Sequence, residues 1–340
     1  RILVPGSIPK IILSKSFKGF YLRCSKYYSK NTFFISLLVF VFAIVYILTS
    51  FESHENIISL ISKDFSATII PYFILIFFLQ FANWILEALK FYFLLPYSKD
   101  FSFQHVLKAV YVGTLTAIIT PKRLGNFLGR NWVLKNKAQQ VIISTISGNF
   151  FQLFTTIIMG YCSFLYLYFF KTEFLLEFKN YFLLMVFFYS LLLFFIGYTI
   201  FANNWHSIVN KFKLAKYFNI STDHLTSITL VKRIRVLFFS MSRYWIFIIQ
   251  YYILFKAFYM PVDFIEVIIL VGLLFGIVTF LPSFAPGNLG TREALSIFIL
   301  GGSTLGIKFA MVSFLVWLVN VVFSALIGAA LLFTSKTIKW

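Results

Sequence analysis

Charge is what this sequence has least of. Asp, Glu, Lys and Arg together supply 12% of its 340 residues, and Asp plus Glu number 11. A soluble domain carries about 25% charged residues, so a fold wetted on all sides is excluded. Cysteine is nearly absent: Cys24 falls in a basic N-terminal stretch and Cys162 inside an apolar run, which excludes a disulfide scaffold. The four histidines, His54, His105, His206 and His224, are scattered without ligand spacing, and no Asp-x-Asp pair occurs. Neither a metal site nor a cofactor is expected. Helix-turn-helix, zinc and RNA-binding signatures are also missing, so the net charge of +19 is not taken as a sign of nucleic acid.

What fills the chain instead is apolar. Hydrophobic residues make up 60% of it and Phe alone occurs 47 times. The fold class is an all-α integral membrane protein. Its 30 Lys and Arg are read as cytoplasmic loops resting on anionic headgroups.

A spanning helix takes about 20 apolar residues. Six stretches qualify, near 33–50, 67–95, 139–170, 181–202, 236–259 and 308–334. The first outruns a signal-peptide core and lacks a cleavage pattern, so a retained anchor is expected. A basic tail (1–32) precedes a single membrane domain (33–340), whose halves cover about 33–170 and 181–334, with a basic loop at 203–235. The tail through Asn31 carries seven basic residues and no acid, which places the N-terminus in the cytoplasm. Glu52, Glu55 and Asp64 against Lys63 suit the outside for 51–66. Lys211, Lys213, Lys216, Lys232, Arg233 and Arg235 keep 203–235 inside, and Lys336 and Lys339 keep the C-terminus inside. The mixture of Lys211, Lys213 and Lys216 with Trp205, Phe212, Leu214 and Tyr217 suits an interfacial amphipathic helix.

Two apolar regions do not parse as spans. A full crossing at 106–120 would carry Lys122, Arg123, Arg130, Lys135 and Lys137 outside without an acid, and its apolar part is too short. A hairpin entering and leaving from the cytoplasm resolves both conflicts. Residues 265–281 enter from the outside and meet Pro282 to Gly290, which no helix crosses intact, and 292–305 forms a second short arm. Six full spans and two re-entrant helical hairpins, N-in and C-in, give a consistent parity.

The hairpin tips resemble each other. Pro121, Gly125-Asn126 and Arg130 recur as Pro282, Gly287-Asn288 and Arg292, with Pro286 added in the second. The preceding spans share Trp84-Ile85 with Trp245-Ile246, and Phe91-Tyr92 with Tyr251-Tyr252. The halves enter from opposite sides, so the repeat is inverted, a transporter plan with broken helices near the midplane. Freed backbone groups at such breaks need burial or a wet cavity. Helix N-termini after the Gly125-Asn126 and Gly287-Asn288 pairs then offer N–H donors to an anion.

The candidate substrate-binding residues are therefore Arg123, Gly125, Asn126, Arg130, Pro286, Gly287, Asn288, Gly290, Arg292 and Glu293. The arginines suit a phosphate; the competing view is that they snorkel to headgroups as topology anchors. Glu293 is expected to pair with a basic residue across the chamber or on a nearby span. Glu87, Lys90 and Arg243 are supporting candidates. Lys90 and Arg243 are read as marking the cytoplasmic interface, and Glu87 as an i,i+3 ion pair with Lys90. Asn149 and Asn320 are expected to hydrogen-bond between helices.

At these motifs the chain resembles the membrane region of bacterial lysylphosphatidylglycerol synthases, a flippase-like family. Its first turn, Pro-x-Arg-x-Gly-Glu and a basic residue, is similar to Pro121-Lys122-Arg123-Leu124-Gly125-Asn126 with Arg130. Its second, Pro-x-x-Pro-Gly-Gly-x-Gly-x-x-Glu, is similar to the stretch from Pro286 through Gly290 to Glu293. Asn126 stands where the family has an acid, so a proton- or cation-linked role is not carried over to it. Asn288 stands where the family has a second Gly, and Asn tolerates a left-handed turn.

The family's soluble aminoacyltransferase domain has no counterpart in the sequence through Trp340, so the resemblance implies the lipid-translocating half, or an orphan relative acting on another anionic lipid. The expected function is flipping of a polar-headed, anionic lipid between leaflets of a bacterial inner membrane. The alternatives are a membrane-embedded transferase on lipid-linked substrates and a non-catalytic component of an envelope-lipid or polysaccharide synthesis system. The expected partners are membrane lipids, with a homo-oligomer or an envelope-synthesis protein as further candidates.

Overall fold

The computed structural model describes residues 30–52, 69–96, 100–120, 125–134, 138–170, 179–201, 228–282 and 285–334. Among these, every regular element is helical. Long apolar runs leave the backbone no partner but itself, and the helix satisfies it within one segment. In chain order the helices are α1 (Lys30–Glu52), α2 (Ile70–Leu94), α3 (Phe103–Ile119), α4 (Gly125–Leu134), α5 (Ala138–Phe170) and α6 (Lys179–Phe201). There follow α7 (Leu230–Ala257), α8 (Phe264–Val278), α9 (Thr291–Ile299), α10 (Thr304–Trp317) and α11 (Ser324–Phe333), the last two joined by a π-helical segment at Leu318–Phe323.

Five of these are long and apolar enough to cross a membrane: α1, α2, α5, α7 and the composite α10–α11. Val186–Phe201 of α6 is a further apolar helix. The ten-residue α4 and nine-residue α9 reach only about 15 Å at 1.5 Å per residue, half of a bilayer core. Large apolar side chains such as Phe42, Phe78, Phe194, Phe238 and Phe333 face outward, while Gln80, Asn83, Glu87, Lys90, Arg130 and Gln250 are buried. This distribution, greasy outside and polar within, is that of a membrane protein.

Local chemistry sets several helix starts. The Ser102, Thr229 and Ser303 hydroxyls accept the first-turn N–H groups of α3, α7 and α10. In α8 the Asp263 N–H donates to Glu266 Oε2 at 3.1 Å. The helix α2 packs against α7, α3 against α11 and α8 against α5. Glycines set the last two seams. A Cβ on Gly276 would sit 3.0 Å from the Gly160 Cα, and one on Gly328 would run into the Tyr111 carbonyl. The largest core cluster lies among α7, α8 and α10, with Phe255 edge-on to Phe309 at 5.3 Å.

Four sequence expectations change. Lys232, Arg233 and Arg235 belong to α7, not to a loop reaching 235. The Arg233 Nη1 donates to the Phe201 carbonyl at 3.0 Å, placing a cation on the open carbonyl end of α6, and the Arg235 guanidinium lies 4.8 Å from the Phe93 ring centre. The second arm stops at Ile299, because Gly301 and Gly302 take left-handed φ of 65° and 70°. The last span therefore begins at Thr304, not near 308. Asn149 is exposed on α5 and makes no interhelical bond among the described residues. Residues 1–29 of the basic tail, the loop over 53–66, the stretch at 204–227 and Arg123 lie outside the described residues.

Candidate functional site

On α2, Gln80, Asn83, Glu87 and Lys90 recur at steps of three and four, so one face of an otherwise apolar helix is polar. That face meets α7, and three cations converge there on one carboxylate. Lys90 Nζ is 2.6 Å from Glu87 Oε2, Arg130 Nη2 is 2.9 Å from Glu87 Oε1, and Arg243 Nη1 pairs with Glu87 Oε2. Lys90 is 1% exposed, Arg130 2%, Glu87 4% and Arg243 9%. One acid offsets one cation, so by formal charge the cluster holds an excess of two positive charges. Such a charge inside a membrane protein is costly unless something compensates it.

Each cation is held by its surroundings. Arg130 reaches Glu87 because α4 lies unusually close to α3: the Thr116 Oγ1 donates to the Gly125 carbonyl at 2.5 Å, and the Gly125 N–H donates to Thr120 Oγ1 at 2.6 Å. A Cβ on Gly129 would collide with Thr116 and with the Val112 carbonyl, and one on Gly113 would lie 2.8 Å from the Arg130 side chain. Arg130 Nε donates to Asn126 Oδ1 at 2.9 Å, and its guanidinium sits 4.5 Å from the Phe91 ring centre. The Lys90 stem passes Gly148 of α5, where a Cβ would be 3.3 Å from Lys90 Cε. The Arg243 Nη1 also lies 3.4 Å from Gln152 Oε1.

An amide relay runs away from this cluster. Arg243 Nε donates to Asn83 Oδ1 at 2.8 Å, Asn83 Nδ2 to Asn320 Oδ1 at 3.0 Å, Asn320 Nδ2 to Gln250 Oε1 at 2.8 Å and Gln250 Nε2 to the Ile76 carbonyl at 3.2 Å. Arginine only donates, so the Asn83 oxygen must face it, and every amide downstream is oriented in turn. Asn320 sits in the π-helical segment, and its carbonyl accepts from Trp84 Nε1 at 3.1 Å. A π-bulge in a span is the kind of irregularity that accompanies function.

The second tip is built differently. Pro286–Asn288 forms a single 3₁₀ turn, and Gly287, Asn288 and Gly290 take φ of 67°, 59° and 84°. Asn288 thus adopts the left-handed turn its residue type tolerates. Trp317 Nε1 donates to the Pro286 carbonyl at 3.0 Å. Arg292 Nη2 is 2.5 Å from Glu293 Oε1, and Glu293 Oε2 accepts the Gly290 N–H at 2.6 Å. Arg292 is therefore neutralised by its own neighbour, although its buried Nε has no partner among the described residues.

The sequence matches the family described as the lysylphosphatidylglycerol synthase TM region over residues 33–328. The chain belongs to that family. It is accordingly a membrane protein of lipid or envelope metabolism. No curated protein and no solved structure matches it.

Asn126 and Arg130 meet Glu87, Lys90 and Arg243 in one cluster, while Gly125 lies against Thr116 and Thr120. Lys90, as expected, and Arg243 are buried partners of Glu87. Pro286, Gly287, Asn288, Gly290, Arg292 and Glu293 form the second tip, whose Glu293 pairs with adjacent Arg292, not across a chamber. Among the described residues the two tips share no hydrogen bond, and no group of His, Cys, Asp and Glu could hold a metal ion. Gln80, Asn83, Gln152 and Gln250 were missed. Their signal was available as polar residues on the buried faces of apolar spans, Asn83 three or four residues from Gln80 and Glu87, and Gln250 seven from Arg243.

Proposed function

We propose that this protein binds the anionic headgroup of a membrane lipid at the Glu87–Lys90–Arg130–Arg243 cluster and carries it between leaflets. The observation that supports this is the buried excess of two positive charges between α2, α4 and α7. A phosphate there would compensate the excess, and guanidinium forks suit its oxygens. The two hairpins are read as re-entrant from opposite faces of a bacterial plasma membrane, with the α2–α7 pair between them. The half-length arms α4 and α9 and the packing of α3 on α11 and α8 on α5 favour that arrangement.

The test is transfer of a headgroup-labelled anionic lipid in proteoliposomes. Arg130→Gln and Arg243→Gln are each expected to slow transfer by about tenfold or more, the loss of one charged hydrogen bond being about 1.5–3 kcal/mol. Each leaves Glu87 with two cations, so the folded protein should persist. Wild-type rates in both variants would reject the proposal. A new lipid product formed by the purified chain, without translocation, would replace it with a membrane-embedded transferase.

A further inference from the structure

The charge and the free donors of the cluster say more about the headgroup than that it is anionic. Arg130 spends Nε on Asn126 and Nη2 on Glu87; Arg243 spends Nε on Asn83 and Nη1 on Glu87 and Gln152. Among the described residues, Arg130 Nη1 and Arg243 Nη2 donate to nothing. Both guanidinium groups pair with the one carboxylate of Glu87. Four N–H donors on the two arginines are left over among the described residues, beside two uncompensated formal charges.

A lipid phosphodiester offers one negative charge and two unbridged oxygens. A phosphomonoester offers three oxygens and nearly two charges above its second pKa of about 6. Neutralising only one of two excess charges would leave a bare cation in low dielectric, the costly situation for a buried ion group. The other buried arginine–carboxylate pair among the described residues, Arg292 and Glu293, is already neutral within itself. We infer that the cluster selects a doubly charged terminal phosphate, as in a phosphomonoester- or pyrophosphate-headed lipid, over a singly charged diester. This rests on the proposed headgroup site and specifies its charge.

The experiment compares phosphatidic acid with phosphatidylglycerol binding to the purified full chain in mixed micelles at pH 7, by native mass spectrometry, with inorganic phosphate as competitor. The expected result is phosphatidic acid favoured by about tenfold or more, each tenfold being about 1.4 kcal/mol. Arg130→Gln should erase that preference, and Arg130→Lys, which keeps the charge, should retain most of it. Equal binding of the two lipids by the wild type, or an unaltered preference in Arg130→Gln, overturns the charge match while leaving the headgroup site standing. Binding of neither lipid overturns both. Inorganic phosphate displacing phosphatidic acid at equal concentration supports the charge match and overturns a lipid as its source.

Discussion

Glu87 holds three cations together, and that makes the consequences of substitution unequal. Removing a single cation leaves Glu87 paired twice over. Removing the carboxylate leaves Lys90, Arg130 and Arg243 facing one another without compensation. Breaking a buried ion pair from one side costs about 3–5 kcal/mol. Glu87→Gln is therefore expected to lower the thermal unfolding midpoint in detergent far more than Arg130→Gln does. Equal midpoints for the two variants would show that the cluster is wetter than its burial indicates. The residue types alone carried part of this: the i,i+3 pair of Glu87 and Lys90 is plain on a helical projection. Arg130 and Arg243, which stand 43 and 156 positions away, are not.

At the scale of the element, α4 exists to present Arg130, and its seating depends on the absence of side chains at Gly125 and Gly129. A Cβ on Gly129 has no flexible neighbour to push aside, because it meets the Val112 carbonyl and the Thr116 hydroxyl. Gly129→Ala is expected to cost about 1–3 kcal/mol from overpacking and to reduce lipid transfer by moving Arg130 off Glu87. Retention of both stability and transfer would mean that α4 is free to shift without penalty. The π-helical segment is a different case. Nothing in Leu318–Phe323 announces it, since all but one of its residues are apolar and helix-compatible. The extra residue there follows from Asn320 satisfying Asn83 and Gln250 while its carbonyl meets Trp84.

For the molecule as a whole, the two glycine seams stand on separate helices, α5 with α8 and α3 with α11. Without a hydrophobic drive between helices in lipid, close packing at small residues holds such seams. Gly276→Val and Gly328→Val are each expected to lower the unfolding midpoint. Because they share no element, their effects should add to within about 0.5 kcal/mol in the double variant. A double variant no worse than either single one would show that the seams open together.

The amino-acid sequence by itself determined that the backbone must close its hydrogen bonds within helices, where the long apolar helices run, and that the chain turns at Gly287-Asn288. Those are properties of composition and of consecutive residues, read without knowing any neighbour in space. It also carried the family motifs around positions 125 and 290. Tertiary structure alone decided that the excess charge belongs to the first tip. The second tip's arginine finds its acid one residue away, whereas the first shares a carboxylate with cations from two other helices. Such sharing depends on which faces of α2, α4 and α7 cross, a fact of packing that no local pattern encodes.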